Sequence, residues 1–391
     1  MRSTLLLSLG SSLLLPPSLL SAAQPLPERR PNILLFLVDD MGWQDTSVPF
    51  GSDTTALNRR YHTPAMERLA RRGVRFTDAY AAPVSSPSRC SLLTGAHAAR
   101  HRVTNWTLRY DTPSDQADST LQAPEWNVNG LSPRPDTPHT YYARMLPELL
   151  RAAGYHTIHC GKAHFGAIGT PAADPLQLGF EVNIAGHAAG GPASFLGRAR
   201  YGHDSLGKPV SPMAVPGLER YWDTDTYLSE ALTLEAIQAL QAQRSAGDRR
   251  PFFLYMSHYA VHVPFDKDAR FYQRYLDEGL GPKEAAYAAL VEGMDKSLGD
   301  LMDELERAGQ LDDTLILFMS DNGGLAASAY WHSGQLHWQN APLYSGKGSV
   351  YEGGIRVPLI VAGPGVVGRD RRDSHPVMIE DLFPTLLEVA G

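Results

Sequence analysis

Cysteine is nearly absent: the 391 residues contain two, Cys90 and Cys160. Neither spacing is that of a metal knuckle. A disulfide between them is the alternative, but a chain long enough to bury a large core needs no covalent staple, so the pair reads as two buried free thiols. Runs of lysine or arginine are missing as well, and with a formal net charge of -7 this argues against a nucleic-acid partner. An uninterrupted apolar stretch of membrane length is also lacking. The nearest approach, "LLLSLGSSLLLPPSLL", is broken by Pro16-Pro17 and too short to span a bilayer. There is no internal repeat or low-complexity tract, and 43% hydrophobic with 20% charged residues excludes disorder as the main state. The length allows two or three ordinary domains or one large α/β domain.

That apolar stretch follows a short basic start, Met1-Arg2, and precedes small residues at Ser21 and Ala23. The pattern is that of a signal peptide over 1–23, followed by a leader over 24–30 and a folded domain over 31–391. No cysteine follows the small residues, which removes a lipoprotein anchor. The expectation is an exported chain, periplasmic or secreted, without a stable membrane anchor.

What is present begins with "PNILLFLVDDMGW", whose apolar run ends in two carboxylates. A run apolar on both faces reads as a central strand of a covered, largely parallel sheet. Similar strands recur at "YHTIHCGK", "PFFLYMSH", "TLILFMSD" and "VPLIVAGPG". Helical patterns separate them over 63–73, 137–154, 225–243 and 282–309. In the last, Tyr287, Leu290, Val291, Met294, Leu298, Leu301 and Leu305 form the apolar stripe, and Gly309 stops it. Alternating strands and helices predict a doubly wound α/β sheet with its chemistry at the carboxyl ends of the strands. Asp39-Asp40, Lys162, His258 and Asp321-Asn322 all stand at such ends. The irregular stretches 95–140 and 166–223 read as loops over them.

Each polar group has a plain alternative. Asp39-Asp40 suits a hard divalent cation or a solvated turn, and Asp321-Asn322 repeats the arrangement with one more carboxylate and an amide oxygen. Lys162 and His164 could bind an anion and move a proton, although a lone histidine near a strand end is more often structural. His258 and His262 in "HYAVHVPF", Lys347 in a glycine-rich turn, and His332, His337 and Trp338 are further candidates. The "NWT" at Asn105 matches a glycosylation sequon, which is frequent by chance. In "PVSSPSRCSLLTG", Pro87 favours the first turn of a short helix, so an anion near Ser85 would meet its N-terminus. Arg89, one turn on, could lean back over Ser85, or be a surface arginine beside an N-cap serine.

Together these residues resemble the type I sulfatases of the alkaline phosphatase superfamily. Seven motifs occur in the family order: "PNILLFLVDDMGW", "SSPSRCSLLTG", "GYHTIHCGKAHFG", "FFLYMSHYAVHVPF", "TLILFMSDNGG", "GKGSVYEGGIRVP" and "DLFPTLLEVAG". The family signature, Cys or Ser, any residue, then Pro-Ser-Arg, stands here as Ser85-Ser86-Pro87-Ser88-Arg89, the serine form. The resemblance implies a large, mostly parallel mixed sheet sandwiched by helices. It also implies that a sulfatase-maturating enzyme oxidises Ser85 to Cα-formylglycine, whose hydrate attacks sulfur. Asp39, Asp40, Asp321 and Asn322, with modified Ser85, would hold one divalent cation, Ca2+ in this family. Arg89, Lys162 and Lys347 would neutralise charge, His262 with Lys347 would protonate the leaving oxygen, and His164 would deprotonate the second hydroxyl. Sulfated polysaccharides or oligosaccharides are the implied substrates. Family members usually continue past "DLFPTLLEVAG" into a small C-terminal subdomain, which residues 31–391 do not include. Two rival readings remain at this stage: a phosphomonoester or phosphodiester hydrolase using unmodified Ser85, and an inactive glycan-binding fragment.

Overall fold

Burial on both faces is what an apolar strand such as "NILLFLV" demands. In the computed structural model, which describes residues 30–325 and 339–391, all seven residues of that strand are buried. In chain order the strands are β1 (Asn32–Val38), β2 (Val74–Tyr80), β3 (Leu131–Ser132), β4 (Tyr141–Tyr142), β5 (His156–Gly161), β6 (Val182–Ile184), β7 (Phe252–Ser257), β8 (Thr314–Ser320), β9 (Arg356–Ala362), β10 (Arg371–Asp373) and β11 (Val377–Met378). The main sheet runs β10-β2-β9-β8-β1-β7-β5-β6, with β11 also on β2, while β3 and β4 form a separate pair. β8, β1, β7, β5 and β6 are parallel, with Leu35 facing Tyr255 on one side and Leu317 on the other. β9 is antiparallel to both β8 and β2, so the sheet is mixed but mostly parallel, as expected.

Side-chain alternation along β1 divides the core. Leu34, Phe36 and Val38 join a cluster with the helices Pro64–Arg72, Leu228–Ser245 and Pro282–Arg307. Ile33, Leu35 and Leu37 join another with the helices Ser85–Thr94, Leu146–Ala152 and Leu382–Ala390. The sheet is therefore covered on both faces. Cys160 belongs to the first cluster and Cys90 to the second, and both are free thiols, as their scarcity suggested. Among the described residues, no helix is long and apolar enough to cross a membrane.

One expectation changes, and one strand carries no sequence signal. The helical pattern over 137–154 yields a helix only over Leu146–Ala152: Pro147 sits in its first turn, and Tyr141–Tyr142 upstream is the β4 strand paired with β3. The unread β2, "VRFTDAY", is only half buried and bulged, so it carries no apolar run to betray it. Residues 1–29, with the expected signal peptide and most of the leader, and His332, His337 and Trp338 lie outside the described residues.

Candidate active site

β8, β1, β7 and β5 are parallel neighbours, so Ser320, Val38, Ser257 and Gly161 end on one edge of the sheet. The backbone pairing continues one step past the strands: Asp321 N–H donates to Val38 O, Asp39 N–H to Ala260 O, and Lys162 N–H to Ser257 O. The strand-end polar residues are thereby fixed by the sheet itself. Asp40 has φ +60°, a left-handed turn that aims two successive carboxylates at one place, and its N–H donates to Asp321 Oδ1 at 3.2 Å. Asp39, Asp40 and Asp321 bring carboxylate oxygens within 4.8 Å of one another, all buried.

Ser85 is itself the first residue of the Ser85–Thr94 helix, two positions before Pro87, and Gly95 closes the helix in the left-handed region at φ +65°. No side chain caps the helix start, so its positive end faces the acidic cluster. Ser85 Oγ lies 3.2 Å from both Asp39 Oδ1 and Asn322 Oδ1, and Lys162 Nζ donates to it at 3.0 Å. Arg89 makes no hydrogen bond to Ser85 Oγ, whose partners are Asp39, Asn322 and Lys162. Its Nε donates to Asp321 Oδ2 at 2.9 Å and its Nη1 to Ser257 Oγ at 2.5 Å, because the buried carboxylate is the stronger partner. Lys162 Nζ bonds Asp39 Oδ2 at 2.7 Å, and Lys347 Nζ bonds Asp40 at 2.8 Å.

Burial lifts the Asp39 carboxyl well above the ordinary range, although Lys162 pulls the other way. For Asp40 and Asp321 burial, the largest single influence, also opposes the charge, yet the surrounding cations together outweigh it, led by Lys347 for Asp40 and by Arg89 then Lys162 for Asp321, and both are held low. Burial pushes Lys162 down to about 8 against the pull of Asp39. Lys347, despite its own burial, is held up by Asp40. Both pocket histidines are neutral. Burial, then Lys162, depresses His164 far below its usual value; burial, then Lys347, brings His262 to about 3. His164 Nε2 lies 2.8 Å from Thr107 O, which can only accept, so Nε2 carries the hydrogen and the buried, unpartnered Nδ1 carries a lone pair. By the same logic His262 Nδ1–H donates to Val263 O at 2.7 Å, leaving Nε2 bare at 3.7 Å from Asp40 Oδ2.

The sulfatase family model matches residues 31–391. The chain belongs to the sulfatase family. It is 31% identical over 383 residues to the N-acetylgalactosamine-6-sulfatase of Canis lupus familiaris, a match covering 95% of this chain and 64% of that protein. It is also 29% identical over 411 residues to a sulfatase of Formosa agariphila, covering 93% and 69%. Among solved structures, Ps i-CgsB in complex with k-i-k-neocarrahexaose superimposes with a TM-score of 0.70 at 29% identity, over 93% of this chain and 72% of that one. The fold is thus the alkaline phosphatase-like sulfatase fold, and the chain spans just under two thirds of the length of the curated mammalian sulfatases it matches.

This sulfatase-family site leaves His258 outside. His258 Nε2 bonds Ser297 Oγ at 2.8 Å beneath the sheet, its ring rests 5.0 Å from Phe36, and burial lowers it to about 3, so it is a core histidine. Several site groups carry no sequence signal. Ser257 and the Thr107 carbonyl enter through contacts spanning 168 and 57 residues. Gly190 and Gly191 lie against the two histidines: a methyl group on Gly190 would overlap the His164 ring, and one on Gly191 would come within 2.8 Å of the His262 ring. The tandem glycines in "HAAGGPAS" are a visible trace, but nothing in the sequence says which rings they face.

Proposed function

We propose that the chain hydrolyses sulfate esters, with Ser85 as the position oxidised to formylglycine by a maturating enzyme. The observation that carries this reading is the signature serine itself: its Oγ lies on a helix N-terminus among Asp39, Asn322 and Lys162, within a buried cluster of three carboxylates and three cations. The donor set fits a hard cation such as Ca2+, being carboxylate, amide and hydroxyl oxygen from β1, β8 and the Ser85 helix. Asp39, Asp40, Asp321 and Asn322 would hold it. Bound there, it supplies positive charge to the sulfate oxygens and the nucleophile, and oxidised Ser85 supplies a geminal diol with one hydroxyl for sulfur and one to be deprotonated.

The remaining roles belong to the chain's own side chains. Lys162 fixes the Ser85 side chain and Arg89 holds Asp321 in place, both contributing positive charge where sulfate must sit. Lys347 carries the proton at the pocket mouth and His262 Nε2 stands ready to relay it, so the two serve the leaving oxygen. His164 Nδ1, neutral and unpartnered, accepts a proton from the nucleophile side. The names of the relatives above support a sulfated saccharide as the substrate class, and the N-terminal pattern supports an exported enzyme, periplasmic or secreted.

The test is coexpression with a serine-type maturase, followed by mass spectrometry of the Ser85 peptide and paired assays with aryl sulfate and aryl phosphate. Formylglycine together with a sulfate preference is expected. A fully active enzyme with unmodified Ser85, or a phosphate preference, would move the chain to the phosphoester hydrolases.

A further inference from the structure

The cleft in front of Ser85 has a volume of about 510 Å³. One part of its lining is the reaction centre: Ser85, His164, His262 and Lys347. The rest of its lining is almost wholly apolar and includes Val84, Trp106, Met213, Val263, Pro264 and Leu325, which arrive from five separate segments. Trp106 is 41% exposed although it lies beside a buried catalytic centre, so its ring is available to a ligand. Lys347 is the one formally charged side chain in this lining among the described residues, and Asp40 already holds it at 2.8 Å. The two histidines there each spend one ring nitrogen on a backbone carbonyl, His164 Nε2 on Thr107 O at 2.8 Å and His262 Nδ1 on Val263 O at 2.7 Å. Beyond the sulfate, then, the described wall offers apolar area and no free countercharge.

We infer that the leaving-group side of this cleft selects a neutral sugar bearing a single sulfate and excludes one carrying a carboxylate or a second sulfate on the same ring. This rests on the sulfatase reading and adds the identity of the group on the far side of the ester oxygen. A neutral pyranose has a C–H face that can lie on Trp106 and Met213 while its sulfate enters the cation-lined end. A second anion on the same ring would be pressed against Val84, Val263 and Leu325, losing water without gaining a partner, which is among the costliest arrangements a site can impose. An unpaired polar group discriminates far more strongly than one methylene of misfit, so the selectivity should be large.

Two measurements test this. The first is equilibrium binding of galactose 6-sulfate and galactose 4,6-disulfate to the unmatured chain, whose Ser85 cannot start turnover; the monosulfate should bind at least tenfold more tightly. The second is kcat/KM of the matured, calcium-loaded chain on the same pair, where the same order is expected. Met213→Lys, which puts an ammonium in the apolar wall, should narrow the ratio at least fivefold, and Trp106→Ala should raise KM for the monosulfate more than it lowers kcat. Equal or tighter binding of the disulfate, or a ratio unmoved by Met213→Lys, overturns the inference even if sulfate is released. Absence of sulfate release from either sugar and from an aryl sulfate, with the binding preference intact, would instead count against the sulfatase reading and leave this one standing.

Discussion

Asp39, Asp40 and Asp321 face Arg89, Lys162 and Lys347 in one cluster of ion pairs, so with all six ionised their formal charges cancel before any cation or substrate arrives. A divalent cation would make the site net positive, which is the state that draws in a sulfate ester. Lys162 is the weak member of the set, since burial pushes it down to about 8 while the others stay charged well beyond that. Sulfate monoesters keep one negative charge throughout this range, so an alkaline loss of rate reports the enzyme. The sign follows: below pH 8 the ammonium is present, and kcat/KM falls as pH rises through about 8. Lys162→Met should lower kcat/KM roughly a hundredfold or more and abolish that inflection, whereas an inflection unchanged in the variant would assign it to another group. The histidines depend on a neighbour with no chemistry of its own. Gly190→Ala must displace the His164 ring, because the added methyl has nowhere else to go. A shift of about an ångström costs on the order of a hundredfold in rate, so kcat should fall by that order with KM nearly unchanged, and a parallel loss in KM would show that the loop reads substrate instead.

The elements around the site are locked together by side chains that cap one another. The Pro64–Arg72 helix has no capping side chain of its own, and Asp295, from the Pro282–Arg307 helix, accepts from Ala65 N and Met66 N at 2.9 and 2.8 Å. Two of the helix's otherwise orphaned N–H groups are met from across the core. Asp295→Ala should therefore cost about 1–3 kcal/mol in urea-induced unfolding while leaving the pKa-dependent rate profile in place; a change below a few tenths would mean that water replaces the cap. Such links explain which parts of the molecule were legible in advance. β1, β5, β7 and β8 announced themselves as apolar runs, and their terminal polar residues fell on one edge because parallel strands must end together. β2 did not, being half exposed, and the turn of Arg89 toward Asp321, 232 residues away, follows from an electrostatic choice that local spacing does not contain.

At the scale of the whole molecule, the acidic cluster stitches together distant parts of the chain. Asp39 and Asp40 follow β1, Asp321 and Asn322 follow β8, and Ser85 opens a helix on the other face, so a cation bound by all five joins the centre of the sheet to one of its covering layers. Binding to the folded state alone raises its stability by RT ln(1 + [L]/Kd), about 2.7 kcal/mol at a hundredfold excess over Kd. Burial leaves Asp39 reluctant to ionise in the absence of a cation, and bringing one beside it would relieve that cost. Calcium added to the chelator-stripped chain should therefore raise its unfolding temperature by several degrees in a concentration-dependent way, with magnesium less effective because it demands a tighter shell. Asp321→Asn should remove most of this response and Asp295→Ala should not, since the latter lies in the helix layer away from the cluster. If the unfolding temperature is indifferent to calcium in the parent chain, the carboxylates are neutralised by Arg89, Lys162 and Lys347 alone, and the cation has no place in the site.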